Sequence, residues 1–300
     1  MKSGVKIAIH FLIVAAILVP GVWNVPDLRH GWNDFLHFYA GAKLAFSHDL
    51  YNVEAVAAAQ RATGASPSPA LRVTRPPHYY MLLSPLALAP YPIAYLLWQL
   101  LNFAAVIGAI WLWPYSRIAL CHVLVFWLPL WWGFFSGSDS GLVLLLIACV
   151  IRGIASRRDD QTALGLAYCT IKYHFFWMAP FALGWRISRM AAAAVVLVLF
   201  IGPLLVNPSW PGDYLTTVVA GRDIISKVPM SLFRFLSWYA VALGAISGFM
   251  ILRTVKAPEL RLLSVFTIGV LVSPHCYIQD YTGVSLLLAI ALERFVCASA

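Results

Sequence analysis

Charge is what this sequence has least of. Only 11% of its 300 residues are Asp, Glu, Lys or Arg, and just 12 are acidic. With 61% hydrophobic content and a mean hydropathy of +0.80, the chain is excluded from the class of soluble domains. Strand-like alternation is poor too, and the apolar runs are far too long for barrel strands. Cysteine is scarce. Cys121, Cys149, Cys169, Cys276 and Cys297 lie in or beside apolar segments without metal-like spacing, so neither a disulfide framework nor a zinc site is expected. A nucleotide-binding glycine loop and an Asp-x-Asp motif are both lacking, which argues against nucleotide-linked substrates. No metal and no cofactor are expected.

What the chain does have is a succession of apolar runs, each near the roughly 20 residues that span a bilayer. The expected fold class is therefore an all-α polytopic membrane protein, a single integral domain over residues 1–300. The net charge of +9 comes from short basic connections: Lys2 and Lys6, Arg152 with Arg157 and Arg158, Arg186 and Arg189, Arg253 with Lys256 and Arg261. These read as cytoplasmic loops, not as a nucleic-acid surface.

Residues 5–25 read as an uncleaved signal anchor with the N-terminus inside. Residues 26–78 then form a first outer loop with interfacial helices, one from Asp34 and one from Val53 to Thr63, followed by a mobile stretch from Gly64 to Ala70. Pro76, Pro77, Pro85 and Pro90 predict a short interfacial helix before a span from Ile93 to Trp113. Residues 118–135 cross outward, with Trp127, Trp131 and Trp132 at the outer boundary. Gly137 to Gly141 make a tight outer turn, and 142–152 return. Residues 162–185 lie between basic loops, so a single span would break the charge rule. A hairpin of two short helices turning near Lys172-Tyr173-His174 is expected instead. A span at 190–206, a second outer segment at 207–230, a span at 231–252 and final spans at 262–273 and 281–297 complete about ten helices, with both termini inside.

In that topology the ionisable residues outside the basic loops gather on the outer side. Asp34 follows Asn33 at a helix start, where the dipole favours a carboxylate. It is a candidate general base beside a lipid surface, or it merely caps the helix. Lys172 inside an apolar stretch costs about 3 kcal/mol on insertion scales and needs a partner or a task. Its placement suits a lipid-linked phosphate, the alternative being a side chain reaching up to the interface. Arg75 and His78 could be headgroup contacts, His275 a carbonyl partner, Asp280 a helix cap and Asp139 ordinary turn chemistry. Arg234 reads equally as an interface anchor.

Asp34-Phe35, Tyr39-Ala40-Gly41 and Leu50-Tyr51 together resemble the first outer loop of glycosyltransferase family 87. The likeness continues through Pro76-Pro77, Leu83 to Ala87, Gly137 to Leu142, Gly165-Leu166, Ile171-Lys172, Lys227-Val228-Pro229 and Ser273-Pro274-His275 with Asp280. The resemblance implies a GT-C-like bundle and an inverting transfer of mannose from a polyprenyl-phosphate donor to a lipid or glycan acceptor. It implies Asp34 as the catalytic base, with Lys172 and His275 on the donor phosphate; Arg75 is expected beside them on the phosphate, and Tyr39, Tyr51, His78, His174 and Asp280 are expected on substrate. Membrane lipids are the other expected partners, and the location is the cell inner (plasma) membrane with the site facing out. The chain departs from the family pattern at Arg75, where Tyr is common, at Ser138-Asp139, where Gln-Asn is common, and at Tyr173, where Pro is common. A charged leaving group needs no general acid, so one base and one or two cations would suffice. Two other classes stay open: a transporter of lipid-linked or small solutes, and a non-catalytic membrane assembly protein.

Overall fold

A computed structural model describes residues 34–65, 73–225, 230–274 and 276–298, with isolated positions 12, 30 and 32. The expected anchor at 5–25, Asn33, the stretch from Ser66 to Ala70, the motif at Lys227 to Pro229 and His275 lie outside the described residues, as does the side chain of His174. Among the described residues every regular element is helical.

The first helix, α1 (Asp34–Leu44), carries aromatic and small residues on nearly every side, and the fold uses them all. Phe35, Leu36, Phe38, Tyr39, Ala40, Gly41 and Ala42 are buried. The helix is therefore a wedge, buried on several sides, while Phe46 just past its end is exposed. It packs on α2 (Val53–Arg61) and α3 (Pro77–Leu83). Asn52 caps α2 by accepting from the N–H groups of Glu54 and Ala55. Gly41 admits α3 closely, because a Cβ there would meet the Tyr80 ring at 2.3 Å.

Helix α4 (Tyr91–Leu112) is opened by Pro90 and Pro92 and is long and apolar enough to cross a bilayer. Its buried residues, Tyr91, Ala94, Trp98, Asn102, Ala105 and Ala109, recur at helical spacing, whereas Ile93, Leu96, Leu100, Phe103 and Ile107 face outward. The buried stripe packs on α7 (Ser140–Ala155). Gly141 makes that approach possible, since a Cβ would come within 2.5 Å of the Asn102 carbonyl oxygen.

The span expected at 118–135 is broken. It forms α5 (Arg117–Phe126) and α6 (Leu128–Phe135), bent by 64°. Pro129 has no N–H for the Val125 carbonyl and its ring would clash there; the Trp131 indole N–H donates to that carbonyl instead, at 3.0 Å. Proline acts similarly at 190–206. Helix α9 (Trp185–Val195) runs into a π-helical stretch, Val196–Ile201, just before Gly202-Pro203.

The expected hairpin is present. Helix α8 (Asp159–Cys169) ends in a 3₁₀ turn, Thr170–Lys172, and the chain returns through short helical turns, Tyr173–Phe176 and Ala179–Ala182, to α9, which packs on α8. At its open end Arg186 Nε lies 3.4 Å from Asp159 Oδ2, so the flanking basic loops share one end. Beyond it lie α10 (Trp210–Ile225), within the expected second outer segment, then α11 (Trp238–Thr254), α12 (Pro258–Val272), a 3₁₀ segment (Ile278–Gly283) and α13 (Val284–Ala298). Among the described residues one helix is long and apolar enough to cross a membrane, or two if the bent pair is a single span, and the other apolar helices are shorter.

Candidate active site

Turns that are distant in sequence meet at the start of α1. Residues 136–139 join α6 to α7 and dock against that start: the Asp34 N–H donates to the Ser136 carbonyl at 3.0 Å. Gly137 takes φ +73°, and a Cβ there would stand 2.9 Å from Phe35 Cβ. Only glycine meets both demands without strain. The Trp98 indole fastens the same turn from α4, donating to the Gly137 carbonyl at 2.8 Å.

The next residue but one, Asp139, is the centre of the charge arrangement and is fully buried. Its Oδ2 accepts from Arg75 Nη2 at 3.0 Å, and its Oδ1 lies 3.0 Å from Lys172 Nζ. Lys172, 2% exposed, also donates to Asp280 Oδ1 at 2.5 Å. Asp280 Oδ2 in turn accepts from the Tyr277 N–H at 2.8 Å, closing the 3₁₀ segment as a capping box. Arg75 is bound at every level. Its N–H donates to Tyr80 Oη, its carbonyl accepts from Tyr51 Oη at 2.9 Å, and Nη1 donates to the Ile171 carbonyl. Each buried charge thus has a partner, as the low-dielectric interior requires.

Asp34 stands beside this cluster. Its Oδ2 accepts from Gln279 Nε2 at 3.0 Å. Loss of water pushes its pKa up to about 6, with Asp139 and Asp280 adding to the rise and Lys172 and Arg75 opposing it. Desolvation therefore outweighs the helix dipole that a helix-start position would suggest. Burial would raise Asp139 as well, but Arg75 and Lys172 together outweigh it and hold that carboxyl down at about 2. Adjacent carboxylates are so driven apart, one kept as a permanent counter-ion and the other poised to trade a proton near neutrality. Among the described residues no group of three or more His, Cys, Asp and Glu side chains is arranged to hold a metal ion.

The profile of glycosyltransferase family 87 matches residues 74–274, more than half of the chain. The chain belongs to glycosyltransferase family 87. No curated protein and no solved structure matches it. Its activity class is glycosyl transfer, with a donor and an acceptor as substrates.

Within this family-87 chain the matched stretch contains Arg75, Asp139 and Lys172, while Asp34, Gln279 and Asp280 lie outside it and are brought to it by the fold. Of the residues expected at the site, Asp34, Arg75, Lys172 and Asp280 are assembled together. Lys172 is clasped by carboxylates and is not an open cation. Tyr39 and Tyr51 brace backbone, their hydroxyls donating to the carbonyls of Ala89 and Arg75 at 2.9 Å each. His78 is buried on α3 with both ring nitrogens unpartnered, and burial lowers its pKa to about 4, so it is neutral. Asp139, read from sequence as turn chemistry, is the residue most undervalued there. Ser136 and Gln279 went unnoticed, since one polar residue in a turn carries no signal of its partner.

Proposed function

We propose that this glycosyltransferase moves mannose, with inversion, from a polyprenyl-phosphate donor to a hydroxyl of a lipid or glycan acceptor at the outer side of the inner membrane, through a chain that crosses the bilayer about ten times. What supports the reading most is Asp34: a carboxylate with a pKa near 6 set beside a counter-ion cluster. The acceptor O–H gives its proton to Asp34 while the oxygen attacks the anomeric carbon from the face opposite the phosphate. The bond from that carbon to the phosphate oxygen breaks, its electron pair leaving with polyprenyl phosphate. A phosphate needs no protonation to depart, so a single base is enough.

Arg75 and Lys172 are the proposed cations for the departing phosphate, with His275 as a third contact. The Arg75 Nε is buried and without a partner, which leaves a donor for an incoming oxygen. Lys172 would have to share itself with Asp139 and Asp280, and Asp34 gains a proton in the same step that frees the phosphate charge. Tyr39, Tyr51, His78, His174 and Asp280 are proposed as the surroundings of the sugar, with Tyr51 acting through its hold on Arg75.

The test is transfer by the purified chain in detergent from polyprenyl-phosphate mannose to extracted envelope lipids, with products read by mass spectrometry. Asp34→Asn keeps size and an acceptor for Gln279 but cannot take a proton. Its rate is expected to fall roughly 10²–10⁴-fold with donor-lipid binding retained. Near-normal transfer by the folded variant would refute the assignment.

A further inference from the structure

The oxygens of Asp34 are not treated alike. Oδ2 accepts from Gln279 Nε2 at 3.0 Å and lies 3.4 Å from the Ser136 hydroxyl, which shares its proton with the Gly133 carbonyl at 3.2 Å. Among the described residues no hydrogen-bond donor reaches Oδ1. Ser136 holds the residue a second time, its carbonyl accepting the Asp34 N–H at 3.0 Å. The backbone is anchored and one oxygen is claimed, leaving the other open on a half-buried residue.

Gln279 shows a matching asymmetry. Its Nε2 meets Asp34, while its Oε1 is buried without a partner. A carboxamide can turn over and exchange its ends, but here that would set a carbonyl dipole against a carboxylate. An interior normally satisfies such an oxygen; this one is left unmet for the sake of the bond to Asp34. Nor can the side chain retreat. The Gln279 carbonyl accepts from the Thr282 hydroxyl at 2.7 Å and faces the Ser140 hydroxyl at 3.4 Å. Behind it, α6 comes so near that a Cβ on Gly133 would stand 3.0 Å from Gln279 Cβ.

Resting on the reading of Asp34 as the base, we propose that Gln279, helped by Ser136, is a positioning residue that clamps Oδ2 and so designates Oδ1 as the oxygen that takes the acceptor's proton. The clamp fixes the carboxylate plane, and with it the direction from which an acceptor hydroxyl can approach. A hydrogen bond to the ionised form also favours it, so the clamp holds the titration of Asp34 lower than burial alone would set it. Among the described residues, the other charged or titratable groups that act on Asp34 are Lys172, Asp139, Asp280, Arg75 and the Tyr277 phenol. A change at Gln279 leaves all of them in place.

The experiment is the pH dependence of kcat/KM for the full chain in detergent, for wild type, Gln279→Met and Gln279→Glu, with Asp34→Asn as reference. Gln279→Met keeps length but donates nothing. Its acid limb is expected to move alkaline by about one pH unit, with kcat reduced about tenfold or more and donor-lipid KM little changed. Gln279→Glu keeps shape but sets an acceptor against Oδ2, and its like charge moves the limb alkaline in any case; should the methionine variant fail to fold, kcat of Gln279→Glu above the limb tests the clamp, and a value equal to wild type overturns it. An unmoved limb and unchanged kcat, with Asp34→Asn inactive, overturn the clamp and leave the base standing. Transfer by Asp34→Asn overturns the base itself.

Discussion

Asp34 and Asp139 answer pH in opposite senses. The Asp139 pKa is depressed to about 2, so the stability it supplies is present above the ordinary carboxylate range and is lost as pH falls toward 2. The Asp34 pKa is raised to about 6, so the folded state prefers that group protonated, and stability drains away as pH rises from about 4 to about 6. Asp34→Asn should therefore melt higher than wild type at pH 7.5, with the gap narrowing at pH 5. A variant that melts lower at both values would mean that hydrogen bonding at this position outweighs the buried charge. Lys172→Met should leave Asp280 without its cation and Asp139 with Arg75 alone, at about 3–5 kcal/mol of stability. Adding Asp280→Asn should recover part of that loss in a denaturation experiment; no recovery would show that the Asp280 charge is not what the lysine secures. The charges of Asp34 and Lys172 were legible in the sequence, because a charge in an apolar chain is costly wherever it falls. Their partners were not. Lys172 and Asp280 lie 108 residues apart, and nothing local to either names the other.

Among the elements, the turn at 136–139 carries the most constraint for its length. Gly137→Ala places a Cβ where φ is +73° and Phe35 Cβ is 2.9 Å away. It should cost about 1–3 kcal/mol, measured as a lowered melting temperature, and transfer should fall because the start of α1 is displaced. An unchanged melt would mean that the turn yields more easily than its packing implies. Long elements were legible from pattern: α4 from its apolar run, and the 162–185 hairpin from the basic loops at both ends. The break between α5 and α6 was missed because the hydropathy of 118–135 is unbroken, and only Pro129 signals it. The wedge character of α1 was missed for a related reason. Periodicity reports one apolar face, whereas alanine, glycine and tyrosine also bury the sides when neighbouring helices come close enough.

For the whole molecule, the proposed orientation places the Asp34 cluster outside and the Arg157–Arg158 loop inside. With the five native cysteines replaced, a cysteine at the exposed Asp49 should react with an impermeant thiol reagent in intact cells. One at the exposed Arg158 should react only after the membrane is opened. Labelling of both from the same side would overturn the topology. The ion cluster also has a bearing on biosynthesis. Asp34 emerges early in translation, yet the amide that holds its carboxylate lies 245 positions later, and the second counter-ion of Lys172 comes with the same late segment. Until that segment is in place, Lys172 has only Asp139 to answer it, and the carboxylate proposed as the base lacks the amide that holds it. On the proposed mechanism, a chain stalled before Gln279 would hold every earlier helix and still be chemically silent. On that reading catalytic competence serves as the receipt for completed insertion, issued only when the start of α1 and the 3₁₀ segment carrying Gln279 have met.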